Sequence, residues 1–247
     1  MSFLDFCPQR DIPDGMRRTL RQEANFGCVI CGNPLIQIHH IIPWSQNPQH
    51  NPKDMVVLCP NHHVKADRRE YPEKYLRESK LNPHNTSVVV DAFFIGTDNL
   101  TVSVASNKFV NISRILVVDD FDLISVTKED RFPQLNVNFF DEYGRWAAII
   151  LENQWYADRK CMWDIDYKPK HLILRCQPRR ISLEVEISED VVFIRGHLYF
   201  NGVRIEATRD DLFLGERSMI HMRGCVVEGA GLQAGGTAIA LSSGKRP

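Results

Sequence analysis

The sequence predicts an α+β chain of two domains, a small mixed one followed by a larger all-β one. Two observations carry this. Cysteines and histidines recur at metal-ligand spacing between Cys28 and His63, amid short apolar runs and helix-compatible polar ones. From Ser87 onward, short period-two apolar runs punctuated by turn residues replace that pattern. The segment Lys80–Ser87, KLNPHNTS, is rich in turn formers and poor in apolar residues, which predicts domains at 10–82 and 86–247.

Residues 15–26 place Met16, Leu20 and Phe26 among charged residues at loosely helical spacing, predicting a lead-in helix that Gly27 stops. The turn signal Gly32-Asn33-Pro34 then opens a short alternating strand that ends at His39-His40. A polar, proline-bearing loop runs from Pro43 to Asp54. Met55–Leu58 reads as a second strand delivering Cys59, and Asn61 onward as helix until Pro72 breaks it or begins another.

In the second part, runs such as 87–94, 100–105, 114–118, 135–139, 145–151, 171–175, 181–187, 191–195 and 202–207 read as strands. Asn201-Gly202 is a two-residue hairpin signal, and Asp141–Gly144 is a second turn candidate. Hydrophobic period alone admits either a sandwich or a β-solenoid. Trp155 and Trp163 read as packing aromatics, the acidic group Asp119, Asp120 and Asp122 as a turn, and the last residues of the Gly/Ala-rich tail as frayed.

Hydrophobic residues at 43% and charged residues at 25% allow a buried core and argue against global disorder. The net charge of −1 excludes a strongly basic nucleic-acid binder, so any phosphate contact must come from local clustering. No apolar stretch is long enough to span a bilayer and no signal-like leader opens the chain, so no membrane association and a cytoplasmic setting are expected. Seven cysteines, three at ligand spacing, argue for a reducing compartment over a disulfide framework.

Cys28-x-x-Cys31 with Cys59-x-x-His62 brings three thiolates and an imidazole to a spacing suited to tetrahedral Zn²⁺. Such a knot suits a domain of about 70 residues, because metal binding contributes folding free energy directly. His39-His40 lies between the two knuckles and His63 directly follows the last ligand.

The combination Gly27-Cys28-Val29-Ile30-Cys31-Gly32, His39-His40-Ile41 and Leu58-Cys59-Pro60-Asn61-His62-His63 resembles the HNH endonuclease family over about residues 13–70. The resemblance implies a ββα-metal fold and hydrolysis of phosphodiester bonds. It implies His40 as general base, with His39 and His63 as ligands of a catalytic divalent ion. That ion is expected to be Mg²⁺, with Mn²⁺ and Ni²⁺ as alternatives. His62 replaces the family's fourth zinc cysteine. Asp54 stands where the family has asparagine and reads as a further metal ligand, with Asn51 as a nearby carbonyl donor.

DNA is the expected substrate, with RNA as an alternative, and Lys65, Arg68 and Arg69 are the candidate backbone contacts. Interleaved acids make a solvated helix face the competing reading of the basic run that continues through Lys74, Arg77 and Lys80. His50 reads as a solvated loop histidine. The second domain resembles a β-rich module that accompanies HNH domains in some bacterial proteins; recognition, regulation and homo-oligomerisation are the candidate roles. A zinc-stabilised nucleic-acid-binding or scaffold protein with an inactive core is the competing function, and Asp54 is the residue that keeps it open.

Overall fold

The computed structural model of the protein describes residues 11–97, 100–129, 132–215 and 220–244. It divides into two compact units, Met1–Val89 and Val90–Pro247.

The first unit opens with helix α1 (Asp14–Glu23), begun after Pro13 with Asp14 in its first turn and Arg21 in its last, each complementing the helix dipole. The helix stops at Glu23 rather than running to residue 26, because Asn25 and Phe26 adopt φ of 52° and 61°, where a helix cannot continue. Strands β1 (Gln37–His40) and β2 (Met55–Leu58) form an antiparallel ribbon in which His39 opposes Val56 and His40 opposes Met55. Helices α2 (Pro60–Asp67) and α3 (Glu73–Leu81) follow, separated at Pro72 as its missing N–H and fixed φ require. All four residues of β2 are buried, and Leu20 of α1, Ala66 of α2 and Leu76 of α3 pack in the same core. Burying side chains such as Leu20, Leu58 and Leu76 contributes about 1.5–3 kcal/mol each. That core fixes the ribbon against α2 and so decides where the histidines point.

The β-rich part comprises β3 (Val88–Ala92), β4 (Thr101–Val104), β5 (Asn107–Val110), β6 (Arg114–Val118), β7 (Phe121–Glu129), β8 (Phe132–Phe140), β9 (Trp146–Leu151), β10 (Gln154–Asp158), β11 (Asp164–Lys168), β12 (His171–Arg175), β13 (Leu183–Ser188), β14 (Val191–Phe200), β15 (Val203–Ala207), β16 (Asp211–Leu214), β17 (Ile220–Arg223), β18 (Val226–Glu228) and β19 (Thr237–Leu241). One sheet has the order β19-β6-β7-β8-β9-β10-β3. The other runs β11-β12-β13-β14-β15-β16-β17, with β4, β5 and β18 joined to it through β14.

Burial alternates along β8 and β14, so Leu135, Val137 and Phe139 face inward, as do Val192, Ile194 and Leu198. Aromatic pairs link the two sheets: Trp155 meets Tyr167 at 5.1 Å, and Phe121 stacks on Phe200 at 4.5 Å. Sequential antiparallel strands in two facing sheets are a sandwich rather than a solenoid.

The predicted hairpin forms at Asn201-Gly202, with φ of 50° and 82°. Asp141 Oδ1 accepts from the N–H groups of Tyr143 and Arg145, making the second turn. The acidic group is a turn as well, in which Asp120 and Asp122 pair with Arg114. The Gly/Ala-rich tail contributes β19, paired in parallel with β6, while residues 245–247 lie outside the described residues.

Candidate active site

Two side-chain clusters converge in the first unit, one on either side of the start of α2. Cys28, Cys31, Cys59 and His62 bring one donor atom each within 4.8 Å of all the others. His62 Nδ1 lies 3.3 Å from both Cys28 Sγ and Cys59 Sγ, and the Cys31 and Cys59 sulfurs are 3.7 Å apart. A tetrahedron with Zn–S bonds of about 2.3 Å and a Zn–N bond of about 2.05 Å has edges of about 3.6–3.8 Å. The four residues therefore fit a structural zinc ion.

Local folding builds the cluster. Gly32, at φ 79°, turns the first knuckle so that its N–H reaches Cys28 O at 2.8 Å, and Cys28 N–H donates to Asn33 O at 2.8 Å. Cys59 enters α2 directly, with Pro60 in the first turn and His63 N–H on Cys59 O. Burial, with Cys59 beside it, pushes the Cys28 thiol up to about 12, so its thiolate needs a compensating cation. Burial, with Lys65 nearby, lowers the His62 pKa and favours the neutral imidazole a metal requires.

The clamp on this knuckle comes from Asn85, inside the segment that reads as a polar linker. Its side chain is buried and donates to Gly32 O at 2.9 Å and Asn25 O at 3.3 Å, while Asn25 Nδ2 returns a bond to Asn85 O at 2.7 Å.

The second cluster lies one residue further along α2. The His39 and His63 rings meet edge to face at 5.1 Å. Asp67 reaches both, with Oδ1 3.2 Å from His39 Nδ1 and Oδ2 3.0 Å from His63 Nδ1. His63 and Asp67 are four residues apart on α2 and so share a face, while His39 arrives from the end of β1. Donor atoms of all three lie within 4.8 Å of one another, and this set can hold a divalent cation. Burial is the main cause lowering the His39 pKa, with the neighbouring His63 adding to it against the opposing pull of Asp67.

His40, next to His39 at the end of β1, meets the loop before β2, and its Nε2 lies 3.2 Å from His50 Nδ1. Trp44 packs against both rings, at 5.4 Å from His40 and 4.7 Å from His50. His50 is thus a partner of His40 rather than a solvated loop residue. Burial, then His50 and His63, lower the His40 pKa, which keeps its imidazole neutral at neutral pH. His39, His40, Trp44, His63, Asp67 and Arg69 line one cleft of about 630 Å³.

The structure does not bring Asp54 into this cluster. Its Oδ1 accepts from Arg77 Nη2 at 2.9 Å and its Oδ2 from Asn51 Nδ2 at 2.7 Å. Arg77 also reaches Lys53 O, and Lys80 Nζ reaches Pro52 O and Met55 O, so α3 pins the loop before β2. The correction to the sequence reading is an exchange of carboxylates: Asp67 joins the histidines, and Asp54 braces the loop. The signal for Asp67 is its i,i+4 spacing from His63, which the alternating charges of the helix disguise.

The basic run divides in the same way. Arg77 and Lys80 serve as braces, and Lys74 pairs with Glu78 at 3.8 Å. Lys65, Arg68 and Arg69 are exposed and form no ion pair among the described residues. Lys65 and Arg68 line a hollow of about 530 Å³ beside the zinc knot, whereas Arg69 lines the histidine cleft.

Residues 28–69 match the family model described as HNH endonuclease. This segment is an HNH domain. No curated protein and no solved structure matched the chain. The matched segment contains both knuckles, the ribbon, α2 and every residue of the two clusters. The match points to a nuclease family, and the two donor sets are of a kind that can hold metal ions. No helix among the described residues is long and apolar enough to cross a membrane.

Proposed function

We propose that the protein is a metal-dependent endonuclease that hydrolyses DNA phosphodiester bonds in the cleft of its HNH domain. The observation that supports this best is the meeting of His39, His63 and Asp67 in the same cleft as His40. A divalent ion held by His39, His63 and Asp67, with Mg²⁺ as the first candidate and Mn²⁺ or Ni²⁺ as alternatives, would supply positive charge where the leaving 3′-oxygen develops negative charge. His40, neutral at physiological pH, takes the proton from the attacking water as its oxygen bonds to phosphorus and the bond from phosphorus to the 3′-oxygen breaks. Arg69 offers a cation to a phosphate in the cleft, and Lys65 and Arg68 extend positive charge along α2 for the flanking backbone. Structural Zn²⁺ on Cys28, Cys31, Cys59 and His62 would hold the ribbon and α2 together.

Purified protein with supercoiled plasmid and each of Mg²⁺, Mn²⁺ and Ni²⁺, beside the His40→Ala variant, tests the reading. Nicking or linearisation is expected from the native chain and at least a hundredfold less from the variant. Equal cutting by both would exclude His40 as the base. No cutting by either, with zinc bound, would favour a zinc-stabilised binding protein. A parallel RNA substrate identifies the preferred nucleic acid.

A further inference from the structure

We infer that His50 is a positioning residue for the general base, holding His40 in one tautomer and one ring orientation. The inference rests on the nuclease reading and extends it to a residue outside the two metal clusters.

Four observations meet at His50. Its Nδ1 stands 3.2 Å from His40 Nε2, so one nitrogen of the base is engaged by a partner that can accept its proton. Among the described residues no hydrogen bond involves His40 Nδ1. When His40 Nε2–H donates to His50 Nδ1, the lone pair of His40 is confined to Nδ1, the nitrogen left to receive a proton from water. Trp44 lies against both imidazoles and restricts rotation of the pair.

The fourth observation is the set of contacts that hold the peptide beside His50. Asn51 follows it directly, and its side chain both accepts from Lys53 N–H and donates to Asp54. Asp54 in turn is held by Arg77, while Asp54 O accepts from Ile41 N–H, tying this loop to the residue after His40. A chain of fixed contacts therefore runs from α3 through Asp54 and Asn51 to the peptide carrying His50. A base held in this way meets its water in the reactive orientation more of the time, which raises turnover without changing how substrate binds.

The test compares the native chain, His40→Ala, His50→Ala and His50→Asn on plasmid, with zinc content and Mn²⁺ affinity measured for each. The side-chain oxygen of Asn sits near the position of histidine Nδ1 and can accept from His40 Nε2. His50→Ala is expected to lower kcat by about 10- to 100-fold, with KM, zinc content and Mn²⁺ affinity within twofold of native. His50→Asn is expected to recover most of that loss. A long-range ¹H–¹⁵N spectrum of the imidazoles is expected to show the Nε2-protonated tautomer of His40 in the native chain and a tautomer mixture in His50→Ala. Native kcat in His50→Ala, or an Asn variant as slow as the Ala variant, would overturn the assignment of His50 while leaving the nuclease reading intact. Cutting that survives His40→Ala would instead bring down the nuclease mechanism, and the role of His50 with it.

Discussion

Replacing Asn85 by alanine should loosen the zinc knot from a distance, although Asn85 is not a ligand. Its side-chain N–H groups satisfy Gly32 O at 2.9 Å and Asn25 O at 3.3 Å, and the residue is only 8% exposed. Truncation leaves the buried carbonyl of Gly32, directly after Cys31, without its donor, and a second, partly buried one at Asn25 on the approach to Cys28. An unsatisfied buried polar group costs about 1–3 kcal/mol, and partial access of water to Asn25 places the sum near 2–4 kcal/mol. Folding of so small a ribbon and zinc binding are linked, so this cost passes into apparent zinc affinity at tenfold per 1.4 kcal/mol, or roughly 30- to 700-fold. Competition against a chromophoric chelator measures it. Asn82→Ala is the control, because Asn82 is exposed and among the described residues its side chain donates to Glu78 O, in the helix that it caps. Zinc retention in Asn85→Ala within threefold of native would refute the clamp.

Asp67→Ala should weaken Mn²⁺ binding at the histidine pair by about 10- to 100-fold with zinc content unchanged, read by electron paramagnetic resonance titration; unaltered affinity would remove Asp67 from the site. Asp54→Ala should leave Mn²⁺ affinity within twofold while costing about 1–2 kcal/mol in urea unfolding, since Arg77 and Asn51 lose their acceptor. In the β-rich unit, Gly196 has φ 150° and an added Cβ would lie 2.3 Å from Ser182 O. Gly196→Ala should therefore cost about 2–4 kcal/mol by the same assay, and a loss under about 0.5 kcal/mol would show that the strand can shift. Burial alone would raise the pKa of Glu184, but Arg195 and His171 outweigh it and hold the carboxyl below its usual range. Its stabilisation is then complete above the unfolded carboxylate pKa and drains as pH falls through the lower folded value, so Glu184→Gln should flatten the acid side of the stability profile.

What could be read from the sequence follows how local each feature is. The cluster of Cys28, Cys31, Cys59 and His62 occupies two knuckles whose members are three residues apart, so spacing alone marks it as a candidate donor set. His39, His40 and His63 stand beside those knuckles and draw notice for the same reason. Asp67 was hidden because Asp among Lys and Arg on a helix reads as a solvated face; only the arrival of His39 from another element reveals it. Asp54 occupies the motif position but faces α3, and no period in the sequence states which side of a loop Arg77 will occupy. Asn85 sits among turn formers whose composition resembles a linker. In the β-rich part, alternation indicates which side of a strand is buried but not which strand lies beside it. The neighbours of β14 therefore emerge only from the fold, as do short strands such as β16 and β18. The resolution of sandwich from solenoid has the same origin.

Consecutive residues of helix α2 serve two donor clusters: His62 belongs to the cysteine knot, and His63 to the histidine cleft. On the proposed reading, a reagent that strips metal indiscriminately would dismantle the scaffold while emptying the cleft, so loss of cutting in a strong chelator would not distinguish a cofactor from a fastener. Weak, oxygen-rich competitors that take up hard cations but leave thiolate-bound zinc in place are the appropriate means of assigning the ion used in catalysis.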